Sequence, residues 1–355
     1  MNEFEKIDAY FVKPFNSSCE EIAHSKAASA SIDHLLLGIG DDCAEVNIPE
    51  GYSLLMSMDT VVEGVHFLPG SPANLIAERA VCVALSDLAA MGAKAKWITL
   101  ALSVNETDTT DSQWWQLLSK GLQDAARRYE IKLIGGDTTK TPGPLTISVQ
   151  VHGVAPVGTS LKRSGAKPGN KVFVSGSLGD GAAALAVLKS ELDFESGDRE
   201  YLLERFYRPE IYLDFAYDLR ELATAAIDVS DGLLADLQHI CRASHVGAYV
   251  DEDSLPLSKA LSRVVDSDKA KEWALLGGDD YRLCFTLPRE NEAALRELSR
   301  RYDIDCSCIG EVVALGENAK MSSSIDTTTY INAGDILSLR THKIFPCDEN
   351  GYKHF

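Results

Sequence analysis

Aspartates, most of them beside glycine, recur along this chain in Gly40-Asp41-Asp42, Met58-Asp59-Thr60, Ser86-Asp87, Gly135-Gly136-Asp137, Asp228-Val229-Ser230-Asp231-Gly232 and Gly277-Gly278-Asp279-Asp280. Several adjoin apolar runs, where a carboxylate is costly to bury without a partner. Carboxylates drawn from many segments into one cleft form a cage for hard divalent cations and the phosphates they carry. Taken singly, each motif is equally consistent with an Asx-turn.

The chain's 355 residues exceed the usual size of one core and favour two domains. A net charge of -19 argues against nonspecific binding to nucleic acid or an anionic membrane, since both need a basic face. A polyphosphate ligand would therefore need cations to mediate, although acidity that serves only solubility accounts for many of these charges. Residues 1–15 lack a signal-peptide core, and no window approaches the ~20 apolar residues of a membrane span, so a cytoplasmic protein is expected. The close pair Cys306 and Cys308 lacks zinc-ligand spacing, and all eight cysteines are read as reduced core thiols.

Periodicity predicts strands at 35–39, 53–62 and 97–104, with a helix from 73 to 91. A second helix opens at Asp111 as N-cap and carries Trp114, Leu117, Leu118, Leu122 and Ala125 on one face. Further strands are predicted at 131–134, 145–154, 171–175, 225–229, 281–287 and 308–314, with helices opening at Gly179-Asp180-Gly181 and Asp231-Gly232. The glycine-rich, basic stretch 158–169 fits an interdomain crossing, which gives domains of 1–160 and 161–355.

At Asp41-Asp42 one carboxylate is expected to support the turn while the other faces the cleft. Asp59 in a strand and Asp87 in an apolar helix would be held ionised by a bound cation; a helix residue that merely reaches solvent is the other reading of Asp87. The segment Gly135-Gly136-Asp137-Thr138-Thr139 follows its strand, where glycine permits backbone N–H groups to approach phosphate. Strand register sends Asp228 and Ser230 to one face, and the turn after them sets Ser230 and Asp231 near a helix N-terminus. Arg163 could reach phosphate oxygens or be a solvated linker charge, and His66 could donate to a phosphate or be structural. P-loop, protein-kinase and nucleophile-elbow signatures are absent from the sequence.

Together with Asp59-Thr60-Val61-Val62-Glu63-Gly64-Val65-His66-Phe67 and Arg163-Ser164-Gly165-Ala166-Lys167-Pro168-Gly169, these motifs closely resemble the thiamine-monophosphate kinase family over nearly the whole chain. The resemblance implies an α/β fold of α+β type, with two domains of mixed sheets flanked by helices, like aminoimidazole-ribotide synthetase. It also implies a homodimer through the N-terminal sheets and ATP-dependent phosphorylation of thiamine monophosphate with several magnesium ions. By motif, Asp42, Ser57, Met58, Asp59, Asp87, Asp137, Asp228 and Asp231 correspond to the metal shell. Gly136, Asp137, Arg163 and Ser230 correspond to nucleotide contacts, and His66, Asp279 and Tyr352 to thiamine-phosphate contacts. Two positions depart from the family: Asp279 stands where glutamate is common, which bears on substrate affinity, and Met58 stands where a small polar residue is common. A soft thioether does not suit a hard cation, so only the Met58 carbonyl could serve.

The acceptor phosphate, with a second pKa of about 6, is largely dianionic near neutrality and needs no general base; charge repulsion is the obstacle to transfer. Direct in-line transfer without a phosphoenzyme is expected. The alternatives are another ATP-using synthetase of the superfamily, such as selenophosphate synthetase or a purine-pathway ligase, and a noncatalytic nucleotide- or metal-binding regulator.

Overall fold

The computed structural model describes residues 3–15, 34–105, 111–192, 196–316, 330–341 and 343–345. Contacts divide the chain into two units, one of residues 1–88 and 93–158, the other of residues 89–92 and 159–355.

In the first unit, helix α1 (Glu3–Ile7) runs on as a π-helical segment, Asp8–Val12. A small hairpin of β1 (Leu35–Leu37) and β2 (Glu45–Val46) follows. Then come β3 (Tyr52–Val62), α2 (Ala73–Ala90), β4 (Lys94–Val104), α3 (Ser112–Arg128), β5 (Lys132–Lys140) and β6 (Thr146–Pro156). The long strands form one sheet in the order β3-β6-β4-β5, with β4 and β5 parallel and the other pairs antiparallel. Parallel neighbours need a crossover, and α3 supplies it, capped by Asp111, whose side chain accepts from the Gln113 amide at 2.8 Å.

Every residue from Ile76 to Ala90 in α2 is buried except Asp87. Such enclosure requires close neighbours, and at Gly121 of α3 a Cβ would lie 2.1 Å from the Asn74 carbonyl oxygen, so only glycine lets the two backbones touch. The sheet's other side carries alternate residues such as Met58, Gln150 and Thr99, paired in one row, and is the more exposed.

The second unit runs β7 (Lys171–Ser175), α4 (Asp180–Leu188), α5 (Ser196–Tyr207), α6 (Leu213–Leu219), β8 (Ala225–Val229), α7 (Leu233–Ser244) and β9 (Gly247–Val250). It continues through α8 (Lys259–Val264), α9 (Ser267–Leu276), β10 (Arg282–Leu287), α10 (Glu292–Tyr302), β11 (Cys306–Val313) and β12 (Ile336–Ser338). Its six strands are ordered β12-β9-β11-β7-β10-β8, antiparallel except for β12 with β9. Leu234, Leu237, Ile240 and Cys241 of α7 join Val172, Ile227, Cys284 and Ile309 in one buried layer. On another side Phe173 stacks on Phe285 at 5.7 Å, and Phe215 of α6 meets Phe285 edge-on at 6.5 Å. The fold is α/β, with mixed sheets flanked by helices.

Two expectations require correction. The 135–139 segment does not follow its strand but belongs to it: β5 runs through it to Lys140, because β4 continues to Val104 and offers a ladder to β-favouring Thr138 and Thr139. The cysteines are not uniformly core thiols either. Cys82, Cys241 and Cys284 are buried, whereas Cys43 and Cys308 are exposed and Cys306 is intermediate, because they lie on a bend and on the half-covered start of β11.

Candidate functional site

Strand β3 carries two faces of opposite character. It pairs along its whole length with β6, from Tyr52 opposite Pro156 to Val62 opposite Thr146, which fixes its register. Ser57, Asp59 and Val61 therefore share one face, while Met56 and Met58 project from the other, 58% and 63% exposed. The Ser57 hydroxyl donates to Asp87 Oδ2. Burial, and secondarily the charge of Asp87, pushes the Asp59 carboxyl up to about 6. The structure thus brings Ser57, Asp59 and Asp87 together and turns the Met58 thioether away.

Asp42 lies elsewhere in this unit, on the exposed bend between β1 and β2, where its amide donates to Asp41 Oδ1 at 2.9 Å. Asp41 is thus the aspartate that supports the turn. His66 closes the turn after β3: its Nδ1 accepts the Val62 amide at 3.1 Å, which leaves Nε2 to carry the proton of the neutral ring. Gly136 and Asp137 are exposed on β5, opposite Leu100 and Ala101. A Cβ on Gly136 would lie 2.0 Å from the Leu100 carbonyl oxygen, so glycine is needed there for the close backbone approach to β4. Strands β3 and β5 are opposite edges of the sheet, about 14 Å apart along it, and the sheet does not place Asp137 beside Asp59.

In the second unit Asp228 is buried near the end of β8, and the chain turns through Ser230, Asp231 and Gly232 into α7. The amides of those three residues donate to Asp236 Oδ2 at 3.0, 3.1 and 3.2 Å. The helix N-terminus expected to offer amides to phosphate has committed them to its own side chain, which leaves the Ser230 hydroxyl and the Asp231 carboxylate as the groups available for contact. Burial, then Asp228 and Asp231, pushes Asp236 up to about 8, against the favourable pull of the amides. Sequence reasoning passed over Asp236; an acid in the first turn of a helix is the signal that would have found it.

The Gly277-Gly278-Asp279-Asp280 segment folds against this turn. The Asp279 amide donates to the Ser230 carbonyl at 2.9 Å and the Tyr281 amide to the Val229 carbonyl at 2.7 Å. A Cβ at Gly278 would meet the Ser230 oxygen at 2.5 Å. Asp279 and Tyr281 both take left-handed backbone, with φ of 68° and 50°. Non-glycine residues held there mark a constrained site. The Tyr281 hydroxyl donates to Asp279 Oδ1 at 3.0 Å. Asp280, named in the acidic motif but given no role there, is 1% exposed and accepts the amides of Gly179 at 2.7 Å and Gly181 at 3.0 Å; burial pushes it up to about 7.

Arg163 is exposed in the loop before β7. His239 on α7 is held below its ordinary value by burial first and then by the charges of Arg163 and Arg242, with Asp231 opposing. Arg163 and Asp231 therefore act on the same imidazole, which places both along α7. Asp228, Ser230, Asp231 and Asp279 form one neighbourhood at the start of α7, the Arg163 backbone meets the far end of that helix at Ser244, and Tyr352 lies outside the described residues.

Among the described residues no group of three His, Cys, Asp or Glu side chains forms a metal cage. Each unit instead presents oxygen donors beside like-charged carboxylates, an arrangement that a cation relieves. Hard oxygen donors suit magnesium, which takes one or two carboxylates and completes its shell with water and phosphate. The donor set fits that ion and would not fit a thiophilic one.

The model of the AIR synthase related protein, N-terminal domain, matches residues 40–155, and that of the AIR synthase related protein, C-terminal domain, matches residues 167–320. Over 320 residues the chain is 45% identical to the thiamine-monophosphate kinase of Salmonella typhimurium, covering 90% of this chain and 91% of that protein. It resembles the crystal structure of the thiamine-monophosphate kinase of Stenotrophomonas maltophilia K279a with a TM-score of 0.75 and 42% identity, over 80% of this chain and 90% of that one. A solved structure of AaThiL complexed with AMPPCP and TMP aligns with a TM-score of 0.71 and 28% identity, over 96% of each chain.

Proposed function

The chain belongs to the thiamine-monophosphate kinase family, and from that premise we propose that it transfers the γ-phosphoryl group of ATP to thiamine monophosphate, giving thiamine diphosphate and ADP. The observation that carries the reading is the meeting of strand β3 and helix α2, where the Ser57 hydroxyl donates to Asp87 beside Asp59, whose carboxyl burial and then Asp87 push up to about 6. A like-charged pair on a strand and a helix is the environment in which a divalent cation favours the ionised form of Asp59.

Asp42, Ser57, the Met58 carbonyl, Asp59, Asp87, Asp137, Asp228 and Asp231 would hold magnesium, which when bound spreads the charge of donor and acceptor phosphates. The remaining work falls to the chain's own groups. His66, with Nδ1 accepting the Val62 amide, would carry its proton on Nε2 and donate it to the acceptor phosphate. Asp279, set by the hydrogen bond its amide donates to the Ser230 carbonyl, offers a carboxylate to the cationic thiazolium, and Tyr352 adds a further thiamine-phosphate contact. Gly136, Asp137, Arg163 and Ser230 contact the nucleotide. The acceptor is already an anion, so transfer is direct and in line, with no dedicated base and no phosphoenzyme.

The exposed face of the first unit's sheet, which includes Met56 and Met58, suits pairing with a second copy, and the protein works as a cytoplasmic homodimer in this reading. The test mixes protein, ATP, magnesium and thiamine monophosphate and looks for thiamine diphosphate by chromatography. Absence of product across a broad range of metal and enzyme concentrations sinks the assignment. Radiolabel from γ-phosphate that stays on denatured protein and chases into product sinks the direct mechanism.

A further inference from the structure

Ser244, at the C-terminal end of α7, bonds to the loop that carries Arg163. Its Oγ accepts the amides of Gly165 and Ala166, both at 3.1 Å, and donates to the Arg163 carbonyl at 3.2 Å. A serine hydroxyl has one proton to give and two lone pairs to offer, so this one is fully used on three positions of a single loop, 163, 165 and 166. The loop has little freedom to go elsewhere. Gly165 takes a φ of +124°, and a Cβ there would lie 2.3 Å from the Thr224 carbonyl oxygen, while the next residue, Ala166, is buried in the core layer that contains α7.

The other end of the same helix holds the turn of Ser230, Asp231 and Gly232 through Asp236. From Asp236 to Ser244 the helix rises about 12 Å. Helix α7 is thus a rigid spacer with a polar clamp at each end, one on the Ser230 turn and one on the Arg163 loop. Arg163 is exposed, so its direction depends on the backbone that bears it. Its effect on His239, alongside that of Asp231, agrees with a guanidinium held over α7.

We propose that Ser244 is a positioning residue for nucleotide binding, fixing the Arg163 loop to α7 so that Arg163 and Ser230 address the same polyphosphate at a set separation. The proposal rests on Arg163 and Ser230 as nucleotide contacts. An exposed arginine on an unclamped loop would spend binding free energy on its own ordering, and an affinity for ATP would fall while the acceptor site stayed as it was.

The test uses the complete chain and four forms: unaltered, Ser244→Ala, Ser244→Cys and Arg163→Ala. KM values for ATP and for thiamine monophosphate, titration with a non-hydrolysable ATP analogue, and thermal unfolding are measured on each. Ser244→Ala is expected to raise KM for ATP about five- to tenfold, leave that for thiamine monophosphate unchanged, and lower the melting temperature by only a few degrees. Ser244→Cys, which keeps the shape but bonds weakly, shifts the same constant in the same direction and serves if the alanine form does not fold. An unchanged ATP constant in both serine variants, with a raised one in Arg163→Ala, overturns the proposal and leaves the nucleotide role of Arg163 standing. An unchanged constant in all three variants removes that role and the proposal with it. Equal rises in both KM values, or a fall in melting temperature matching the loss of activity, assign Ser244 to the fold instead and overturn the proposal.

Discussion

The Ser57 hydroxyl donates to Asp87 Oδ2, joining the middle of β3 to the last turn of α2 across thirty residues of sequence. The bond brings the one residue of 76–90 that is not buried to the face on which Asp59 lies. A strand and a helix thereby supply a paired carboxylate with a hydroxyl beside it, none of which would meet without the sheet register.

Replacing Asp87 with asparagine removes a charge from that pair while keeping an acceptor for Ser57. Magnesium-dependent kcat/KM should fall by about 100-fold or more, with little change in thermal unfolding, measured by steady-state kinetics and calorimetry on the same preparation. Equal losses of stability and activity would assign Asp87 to the fold.

Asp280 gives a pH signature. Its folded carboxyl is pushed up to about 7, whereas the unfolded chain titrates near 4. Between those values the folded protein holds a proton that the unfolded chain has released, so this group makes stability fall as pH rises from about 4 to about 7. Denaturant unfolding of the unaltered protein and of Asp280→Asn over that window should show the variant gaining relative stability as pH rises. A constant difference would refute the raised value.

Asp279→Glu restores the longer acid common in the family. The added methylene should lower KM for thiamine monophosphate several-fold and leave that for ATP alone. Stability should drop by about 1 kcal/mol or less, because position 279 has a φ of 68°, which aspartate tolerates better than glutamate. Kinetics against each substrate, with chemical denaturation, separate the two effects.

Gly136→Ala would push a Cβ to within 2.0 Å of the Leu100 oxygen, while Gly135→Ala would meet only Thr99 Cγ2 at 3.8 Å. The first should cost about 3 kcal/mol or more and the second far less. Urea unfolding of the two variants tests the difference directly.

Sequence revealed what depends on near neighbours. The Asp111 cap and the strands Lys171–Ser175 and Ala225–Val229 were legible from local chemistry, the strands as short, largely apolar runs beside turn residues. Strand Gly247–Val250 was not: it is four residues long and opens on a glycine, too short a run to stand out. The continuation of β5 through Gly135 and Gly136 was hidden because it depends on a ladder offered by β4. The acidic motifs were conspicuous beside glycine and apolar runs, but Asp280 takes its partners, Gly179 and Gly181, about a hundred residues upstream. No local pattern announces such a bond.

The two-faced β3 also limits how this chain can change its length. Adding or deleting one residue between the start of the strand and Ser57 would exchange its faces, putting the Met56 and Met58 thioethers against Asp87 and turning Ser57 and Asp59 outward. Point changes can be tried one at a time, but a one-codon insertion there would dismantle the carboxylate pair in a single step. Descendants of this sequence can vary the strand's lettering far more readily than its count.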